Sequence, residues 1–295
     1  MQQSSLRSII SIVIVLFLAA LLILAGSQEA ATLGKVPIFA LCVALAFIIQ
    51  WLAFIPAFIW QTERFYDLTG SLTYLTALGA ALWAVEVITF RSLLLALLIA
   101  IWAVRLGSFL FLRVMQDRKD SRFDVIKTNG LRFFNAWTIQ GLWVSFTAAA
   151  ALVAMSSTQV VDFGWLGTIG VLLWLAGFAI EVVADHQKRV FKGNQKQQGS
   201  QSPEFITTGL WAYSRHPNYF GEILLWCGVA LIALPVLSGW QYITLLSPCF
   251  VYLLLTRVSG IPLLERAADK RWGDNVQYQQ YKASTPVLVP QLTVK

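Results

Sequence analysis

One short segment of the chain brings several kinds of polar side chain together. Residues 209–222, called the cassette below, read GLWAYSRHPNYFGE and carry a guanidinium, an imidazole, an amide, phenols and a carboxylate directly before an apolar run. Leaving such groups unpaired at the edge of a bilayer costs free energy. The cassette is therefore expected to bind a polar ligand.

A second set of charged side chains follows the repeat of an α-helix. The segment GFAIEVVADHQKRVFKG places charged residues on one broad helix face, at Glu181, Asp185, Lys188, Arg189 and Lys192. Glu181 lies several residues inside an apolar stretch, where a carboxylate indicates a functional site, with an internal salt bridge as the alternative. Carboxylates on this face can accept hydrogen bonds from hydroxyl or amide groups, while the cations bind phosphate.

The loop that reads RVMQDRKDSRFDVIKTN alternates basic residues with Asp117, Asp120 and Asp124. A basic strip that only faces anionic lipid does not need these aspartates. Arginine and lysine side chains that are held by carboxylates suit a ligand with several phosphates. The cations of this loop are Arg113, Arg118, Lys119, Arg122 and Lys127.

A third polar segment, WQTERFYDLTGSLTY, lies between two apolar runs. An acid or a phenol that is surrounded by apolar helices can donate a hydrogen bond to a ligand oxygen. Asp67, Tyr66 and Glu63 are the candidates for this role, with Gln61 as a neighbour. The alternative is a solvated turn in which an aspartate caps the following helix.

Composition determines which elements must position these groups. Hydrophobic residues make up 57% of the 295, charged residues 13%, and the mean hydropathy is +0.66. These values exclude an ordinary soluble domain and predict an all-α fold, a polytopic integral membrane helical bundle with seven or eight transmembrane helices in one domain over 1–295. The expected spans lie near 7–25, 36–60, 68–89, 92–112, 135–155, 165–184, 219–234 and 239–257.

Lysine and arginine are concentrated in the loops 113–134 and 185–218 and in the tail from Arg257. The positive-inside rule makes these segments, and both termini, cytoplasmic. Topology and attraction to anionic lipids account for about half of such a charge, here +7, so charge alone does not establish a phosphate site. No nucleic-acid partner is expected. The two histidines lack metal-site spacing and the cysteines lie in apolar runs, so no metal site is expected.

Three features together resemble a known family. RHPNYFGE preceded by GLW-Y, the Glu181 and Asp185 pair near the end of a helix, and the tail PLLERAADKRWGDNVQYQQY followed by ASTPVLVP resemble the membrane-embedded steroid 5α-reductase family. They are more distantly similar to sterol C14 reductases and isoprenylcysteine carboxyl methyltransferases. The resemblance covers about 66–290, and residues 1–34 lie outside it.

The resemblance implies NADPH-dependent reduction of a carbon–carbon double bond conjugated to a ketone, in a lipophilic substrate such as a 3-oxo-Δ4-steroid. A bacterial relative of this family is expected in the inner membrane, with NADPH entering from the cytoplasm. The chain has no GxGxxG turn, so side chains at helix ends must hold the dinucleotide. The implied cofactor residues are Arg105, Arg113, Arg118, Arg122, Glu181, Asp185, Arg189, Lys192, Tyr213, Arg215, His216, Asn218, Tyr219, Glu222, Arg257, Glu265, Arg266, Tyr278 and Tyr281.

The resemblance also implies a hydrogen-bond donor for the ketone oxygen. The family uses a Gln-Glu pair and a tyrosine on the next helix, and the closest match here is Tyr66-Asp67 with Trp102 at the tyrosine position. Glu63 is the alternative donor. A flat polycyclic substrate favours surrounding aromatic rings, and the substrate-binding candidates are Trp51, Trp60 and Trp102.

Two other classes of function stay open. An isoprenylcysteine-type methyltransferase that uses S-adenosylmethionine shares the RHP-x-Y pattern, but its tail usually has paired glutamates, whereas Leu264 precedes Glu265 here. A transporter or structural membrane protein is disfavoured because the polar residues concentrate on one side and no paired broken helices provide an ion pathway.

Overall fold

Helices form nearly all the regular structure in the computed structural model, which describes residues 2–117, 123–197 and 205–291. A two-stranded antiparallel hairpin, β1 (Thr32–Leu33) and β2 (Val36–Pro37), joins the first two helices. The helices are α1 (Gln2–Gly26), α2 (Ile38–Ile59), α3 (Tyr66–Ala84), α4 (Phe90–Asp117), α5 (Gly130–Thr147), α6 (Ala149–Met155), α7 (Gly164–Gln197), α8 (Pro217–Ala233), α9 (Ser247–Leu253), α10 (Gly260–Trp272) and α11 (Val276–Ser284). The all-α fold expected from composition is confirmed.

Within the described residues, six helical segments are long and apolar enough to cross a membrane. The number becomes seven if α5 and α6, which bend by 54° at a short break, form one span. Seven is the lower of the two numbers expected from the sequence. The expected span 68–89 is present as the shorter α3, which is long enough to cross a membrane but not apolar enough to be counted among these segments. The protein is a polytopic helical membrane protein.

The chain divides into two compact units, Met1–Thr168 with Ala230–Ser247, and Ile169–Val229 with Pro248–Lys295. In the first unit, α2 packs on α3 and α5, α1 packs on α5, and α3 packs on α4. Asn129 begins α5 as its N-cap, because its side chain accepts a hydrogen bond from the Arg132 N–H. The single domain expected over the whole chain stays a prediction.

Buried aromatic rings hold the α2–α3 turn of the first unit in place. Phe133 and Trp137 of α5 are fully buried together with Ala57 and Phe123. The ring of Tyr66, at the start of α3, contacts Phe123 and Trp137 with centroid distances of 4.8 and 5.0 Å. The polar turn predicted from the sequence is thus anchored on an apolar cluster and does not simply project into solvent.

Arg91 links separate segments of the first unit through hydrogen bonds to their main chains. It lies in the second position of α4, with 4% of its surface exposed. Its guanidinium donates hydrogen bonds to the main-chain oxygens of Ile232, Val161 and Asp162 at 2.6, 3.2 and 2.8 Å. A guanidinium can satisfy several carbonyls at once because its donors form a rigid planar fork. One side chain thereby connects α4, the last residues of α8, which belong to the first unit, and the loop before α7.

In the second unit, α7 and α8 approach each other closely along glycines. A Cβ atom on Gly221 of α8 would lie 2.5 Å from the carbonyl oxygen of Gly177 on α7. Any side chain at Gly221 would therefore separate the two helices, and small residues at membrane-helix contacts permit such close approach. The polar residues Glu181 and Glu222, one turn or less away along each helix, become buried as a result.

Candidate functional site

Glu265 of α10 is the centre of a charged cluster in the second unit. Its carboxylate accepts a hydrogen bond from Arg215 Nη1 at 2.9 Å and one from His216 Nε2 at 2.9 Å. The Lys282 ammonium of α11 lies 3.7 Å away. His216 is buried and Arg215 nearly so. The structure thus joins Arg215 and His216 of the cassette to Glu265 of the tail, 50 and 49 positions later in the sequence.

The charges of this cluster determine which ring nitrogen of His216 carries the hydrogen. An ionised carboxylate can only accept hydrogen bonds, so His216 Nε2, which faces Glu265, must be the donor. Nδ1 then presents a lone pair. Both His216 Nδ1 and the Nε–H of Arg215 are buried and have no hydrogen-bond partner within the described part of the chain. Two consecutive residues of the cassette thus contribute a buried donor and a buried acceptor, a combination that requires an explanation because buried polar groups are normally paired.

Two tyrosines of α11 complete the cluster as hydrogen-bond donors. The Tyr278 hydroxyl donates to Asp269 Oδ1 at 3.0 Å, and the Tyr281 hydroxyl donates to the main-chain oxygen of Trp211 at 2.7 Å. Burial raises the pKa of both phenols above their ordinary value, and for Tyr278 the hydrogen bond to Asp269 raises it further. Both phenols thus stay protonated, and Tyr281 ties α11 to the cassette.

The carboxylates of α7 lie beside the cassette, a position that the helical spacing alone did not predict. Asp185 is buried and its Oδ1 accepts a hydrogen bond from Asn218 Nδ2 at 3.2 Å. Glu181 and Glu222 are buried as well, with 2% and 8% of their surfaces exposed. The Lys188 ammonium lies 4.4 Å from the centre of the Trp211 ring. One end of the predicted helix face is therefore buried against the cassette.

The other cofactor candidates are more peripheral. Arg189 and Lys192, on the last turns of α7, are exposed, and Tyr213 is exposed at one end of the cassette, whereas the Tyr219 ring lies parallel to that of His216. Arg105 and Arg113 belong to α4 in the first unit, where Arg105 contacts the Phe109 ring. Arg257 and Arg266 are exposed. Arg118 and Arg122 lie outside the described residues.

The candidates for the hydrogen-bond donor lie at the start of α3. Glu63 is buried and forms an ion pair of 2.7 Å with Lys127. The Tyr66 hydroxyl donates to the main-chain oxygen of Ala136 at 2.9 Å. Asp67 is half-buried in the first turn of α3, whose N-cap residue is Phe65. The Glu63 charge is thus engaged in an ion pair, and the Tyr66 hydroxyl hydrogen is engaged in a hydrogen bond to the main chain.

The three tryptophans proposed to surround a substrate occupy different environments. Trp102 is buried in α4, edge-on to Tyr74 at a centroid distance of 5.2 Å. Trp51 is half-buried and donates to Thr138 Oγ1 at 3.2 Å. Trp60, at the end of α2, is 71% exposed. Trp51 and Trp102 therefore face the interior of the first unit, and Trp60 faces outward.

Comparison with known proteins places the chain in a family. A family described as "Protein of unknown function (DUF1295)" matches residues 53–285, which is most of the chain. The chain belongs to the DUF1295 family. This match begins earlier than the resemblance found in the sequence, and it includes the end of α2 and the turn that carries Glu63 and Asp67.

The DUF1295 protein is also similar to curated steroid and sterol reductases. It is 30% identical over 121 residues to 3-oxo-5-alpha-steroid 4-dehydrogenase 1 of Rattus norvegicus, covering 41% of this chain and 40% of the relative. The corresponding Homo sapiens protein is 41% identical over 63 residues, covering 21% and 23%. Delta(14)-sterol reductase ERG24 of Saccharomyces cerevisiae is 27% identical over 189 residues, covering 61% and 40%.

These matches confirm the resemblance to steroid 5α-reductases and, more distantly, to sterol C14 reductases. The DUF1295 protein spans less than half the length of these relatives. No solved structure is significantly similar to it.

Several residues of the charged cluster were missed by sequence reasoning. Asp269 and Lys282 form an ion pair with each other, and Lys282 also lies near Glu265. In the other unit, Lys127 was predicted as a loop cation, but its pairing with Glu63 was not. Ser214, the residue before Arg215, is fully buried. Ser214 stands inside the cassette and Asp269 inside the quoted tail, but the pairs themselves depend on contacts between separate segments and left no signal in the sequence.

The buried His216 predicts a dependence of stability on pH in this DUF1295 protein. Burial lowers the pKa of His216 below its ordinary value of 6.5, against the opposing effects of Glu265, while Arg215 and Lys188 lower it further. Below pH 6.5 the unfolded chain binds a proton that the folded chain excludes, so the free energy of unfolding falls as the pH decreases. Above that pH the contribution is fully present.

The measurement is thermal unfolding in detergent at pH values above and below 6.5, for the wild type and for His216→Gln. The variant keeps a side-chain amide that can donate to Glu265, and it cannot titrate. The wild type is expected to lose more stability than the variant as the pH falls from neutral. Parallel pH profiles for the two proteins would show that His216 does not titrate as described.

Proposed function

We propose that the protein is a membrane reductase that uses NADPH to reduce the carbon–carbon double bond of an α,β-unsaturated ketone in a lipophilic substrate. Its similarity to 3-oxo-5-alpha-steroid 4-dehydrogenases and Delta(14)-sterol reductases supports reduction of a double bond in a steroid-like molecule. A 3-oxo-Δ4-steroid, reduced to its 5α-dihydro product, is the proposed substrate. The observation that carries the proposal is the buried acceptor and donor pair at His216 and Arg215.

The residues of the second unit fit a dinucleotide. The Nε–H of Arg215 is a charged donor suited to a phosphate oxygen, and α7 adds positive charge at Lys188, Arg189 and Lys192. His216 Nδ1 is an acceptor suited to a ribose hydroxyl or a carboxamide N–H, and the carboxylates of Glu181 and Asp185 can accept similar bonds. The site therefore offers separate partners for the phosphate, ribose and amide groups of NADPH.

When bound, NADPH supplies a hydride to the double bond of the substrate. The protein must then stabilise the negative charge that develops on the ketone oxygen. We assign this role to Asp67, which occupies the position that the resemblance to steroid 5α-reductases gives to the donor and lies half-buried in the first turn of α3. A positioned donor to a developing oxyanion contributes roughly 3–4 kcal/mol to lowering the barrier. Glu63 supports this role by fixing the turn that carries Asp67.

The proposed location follows from the same features. The apolar helices make the protein integral to a membrane, and an apolar substrate can reach the protein from the bilayer. Basic residues flank the cassette and the tail, so we place the cofactor site and both termini in the cytoplasm of a bacterium, with the helices in its inner membrane. Trp51 and Trp102, which face the interior of the first unit, are proposed to contact the substrate.

Cofactor preference provides the test of the proposed function. The cations of α7 and the cassette exceed what a pyrophosphate requires, which suits the additional 2′-phosphate of NADPH. NADPH at about 100 times its Kd is expected to stabilise the detergent-solubilised protein by roughly 2.7 kcal/mol. NADH is expected to need at least about tenfold higher concentration for the same effect, as for the loss of one charge-assisted hydrogen bond.

The readout is the unfolding temperature as a function of ligand concentration for NADPH, NADH and S-adenosylmethionine. Equal stabilisation by NADPH and NADH would contradict the proposed role of the surplus cations. If only S-adenosylmethionine stabilised the protein, the proposed reductase function would be wrong and the methyltransferase alternative would be favoured.

A further inference from the structure

The last described segment of the chain runs alongside the cassette. The Arg215 N–H donates to the main-chain oxygen of Pro286 at 2.9 Å, and the Gln291 N–H donates to that of Tyr213 at 3.1 Å. Between these two bonds, the Ser214 hydroxyl donates to the main-chain oxygen of Leu288 at 2.7 Å. Partner numbers fall as cassette numbers rise, so the two segments are antiparallel. Residues 286–291 are called the strap below.

The strap contacts the cassette where two ligand-facing side chains begin. It pairs with the main chain or side chain of Tyr213, Ser214 and Arg215, and His216 follows directly. Because the Arg215 and His216 side chains branch from this stretch of backbone, its position determines where their unpaired Nε and Nδ1 atoms lie. A short stretch without regular secondary structure has no hydrogen-bond ladder of its own to hold it. The strap supplies those bonds from the tail.

Ser214 links the strap to His216. Its side chain is fully buried, and besides donating to Leu288 its oxygen accepts a hydrogen bond from the His216 N–H at 3.2 Å. A hydroxyl can donate one bond and accept others at the same time. Removing it would leave the Leu288 carbonyl and the His216 N–H without that partner, in a region where lost hydrogen bonds are costly.

Tyr281 and Gln291 form two further hydrogen bonds that hold the end of the chain in place. The Tyr281 hydroxyl bonds to Trp211 at the start of the cassette, and the Gln291 side-chain amide donates to the main-chain oxygen of Ser284 at 3.3 Å. These bonds keep the strap next to α11 and next to the cassette. The tail thus holds the cassette both through the charged Glu265 carboxylate and through the hydrogen bonds of the strap.

We propose that the strap, acting through Ser214, is a positioning element for the nucleotide site: it sets the backbone of the cassette so that Arg215 and His216 present their free donor and acceptor to the ligand. This inference rests on the proposed NADPH binding for its ligand. The positioning itself is a property of the protein without ligand, so it is measured separately.

The first test compares Ser214→Ala with Ser284→Ala. Ser284 is an exposed serine whose hydroxyl makes one bond of 3.3 Å to Tyr281, so it is a matched control for the loss of a hydroxyl. Ser214→Ala is expected to raise the Kd for NADPH about tenfold, as for the loss of one to two buried hydrogen bonds. Ser284→Ala is expected to leave the Kd unchanged.

Amide hydrogen exchange over 209–219, measured without nucleotide, reports the positioning directly. Ser214→Ala is expected to speed exchange in this segment, and exchange in α2 is expected to stay unchanged. A wild type that binds no NADPH, with faster exchange in the variant, would overturn the proposed function and keep the positioning. Unchanged exchange together with an unchanged Kd would overturn the positioning.

A double-variant comparison separates positioning from a packing role. In a chain that ends at Thr285, the strap is absent, so Ser214→Ala is expected to have little further effect on the Kd for NADPH. An additional tenfold loss in the shortened chain would mean that Ser214 acts without the strap and would overturn the proposal. If the shortened chain does not fold, the exchange measurement on full-length Ser214→Ala decides the question.

Discussion

Asp67→Asn is expected to lower turnover of a 3-oxo-Δ4-steroid by about 100-fold or more while NADPH still binds. Asparagine keeps a hydrogen-bond donor and the approximate size of the side chain, but it cannot transfer a proton, and a positioned general acid contributes roughly 100- to 10,000-fold. Asp67 lies in the first turn of α3, next to the buried aromatic cluster that fixes the turn. The measurement is turnover at saturating NADPH, together with the Kd for NADPH.

Glu63→Gln is the matched control for this prediction, because the same chemical change is made four residues away. The Glu63 carboxylate pairs with Lys127, so its removal leaves an ammonium group with no carboxylate at that position. The expected effect is on folding: the free energy of unfolding falls by up to roughly 3 kcal/mol, since Lys127 stays partly exposed. An inactive but stable Glu63→Gln, with wild-type rates for Asp67→Asn, would transfer the catalytic role to Glu63.

The helices that could be predicted are those whose apolar runs are long enough to cross a bilayer. The expected spans 36–60 and 219–234 correspond closely to α2 and α8, since burial in lipid makes length and hydropathy sufficient signals. The expected helix 135–155 is instead bent at Ala148, within an alanine-rich stretch that has no proline or glycine. Tertiary packing in the first unit, rather than local helix propensity, is therefore responsible for the bend.

The last expected span, 239–257, is not one continuous α-helix, and the sequence gives part of the reason. The chain there forms a 3₁₀ helix over Gly239–Leu246, then α9, then a π-helical turn over Leu254–Val258. Pro248 lies where the α-helical part begins, as is usual for proline in the first turn of a helix. The sequence marks the break, but the two unusual helix types depend on contacts that a hydropathy pattern does not contain.

The candidate site shows the same division between local and distant information. Asp185 and Asn218 were both predicted, from a helix face and from the cassette, and the structure shows them bonded to each other. The use of Glu265 as a shared partner of Arg215 and His216 could not be read from spacing, because the tail meets the cassette only after folding. Sequence reasoning found the chemical groups, and the structure determined which of their atoms remain unpaired.

Because the Nε–H of Arg215 is buried and unpaired within the described residues, replacing Arg215 is expected to weaken NADPH binding strongly. Arg215→Ala removes both the buried, unpaired Nε–H and the hydrogen bond to Glu265, so the Kd for NADPH is expected to rise by about 100-fold or more. Arg215→Lys restores the charge opposite Glu265 but not the second, differently directed donor. It is therefore expected to recover the stability of the protein without nucleotide and only part of the affinity for NADPH.

Arg266→Ala is the control for this prediction, since Arg266 is also an arginine of the second unit but is exposed, and its side chain donates to the main-chain oxygen of Pro262. It is expected to change the Kd for NADPH by less than about threefold, in line with the small contributions of exposed charges. Calorimetric titration of NADPH into the three variants, with unfolding temperatures measured without nucleotide, separates binding from folding. If Arg215→Ala bound NADPH normally, the buried donor would serve another ligand, and the assignment of the cassette to the nucleotide would have to be abandoned.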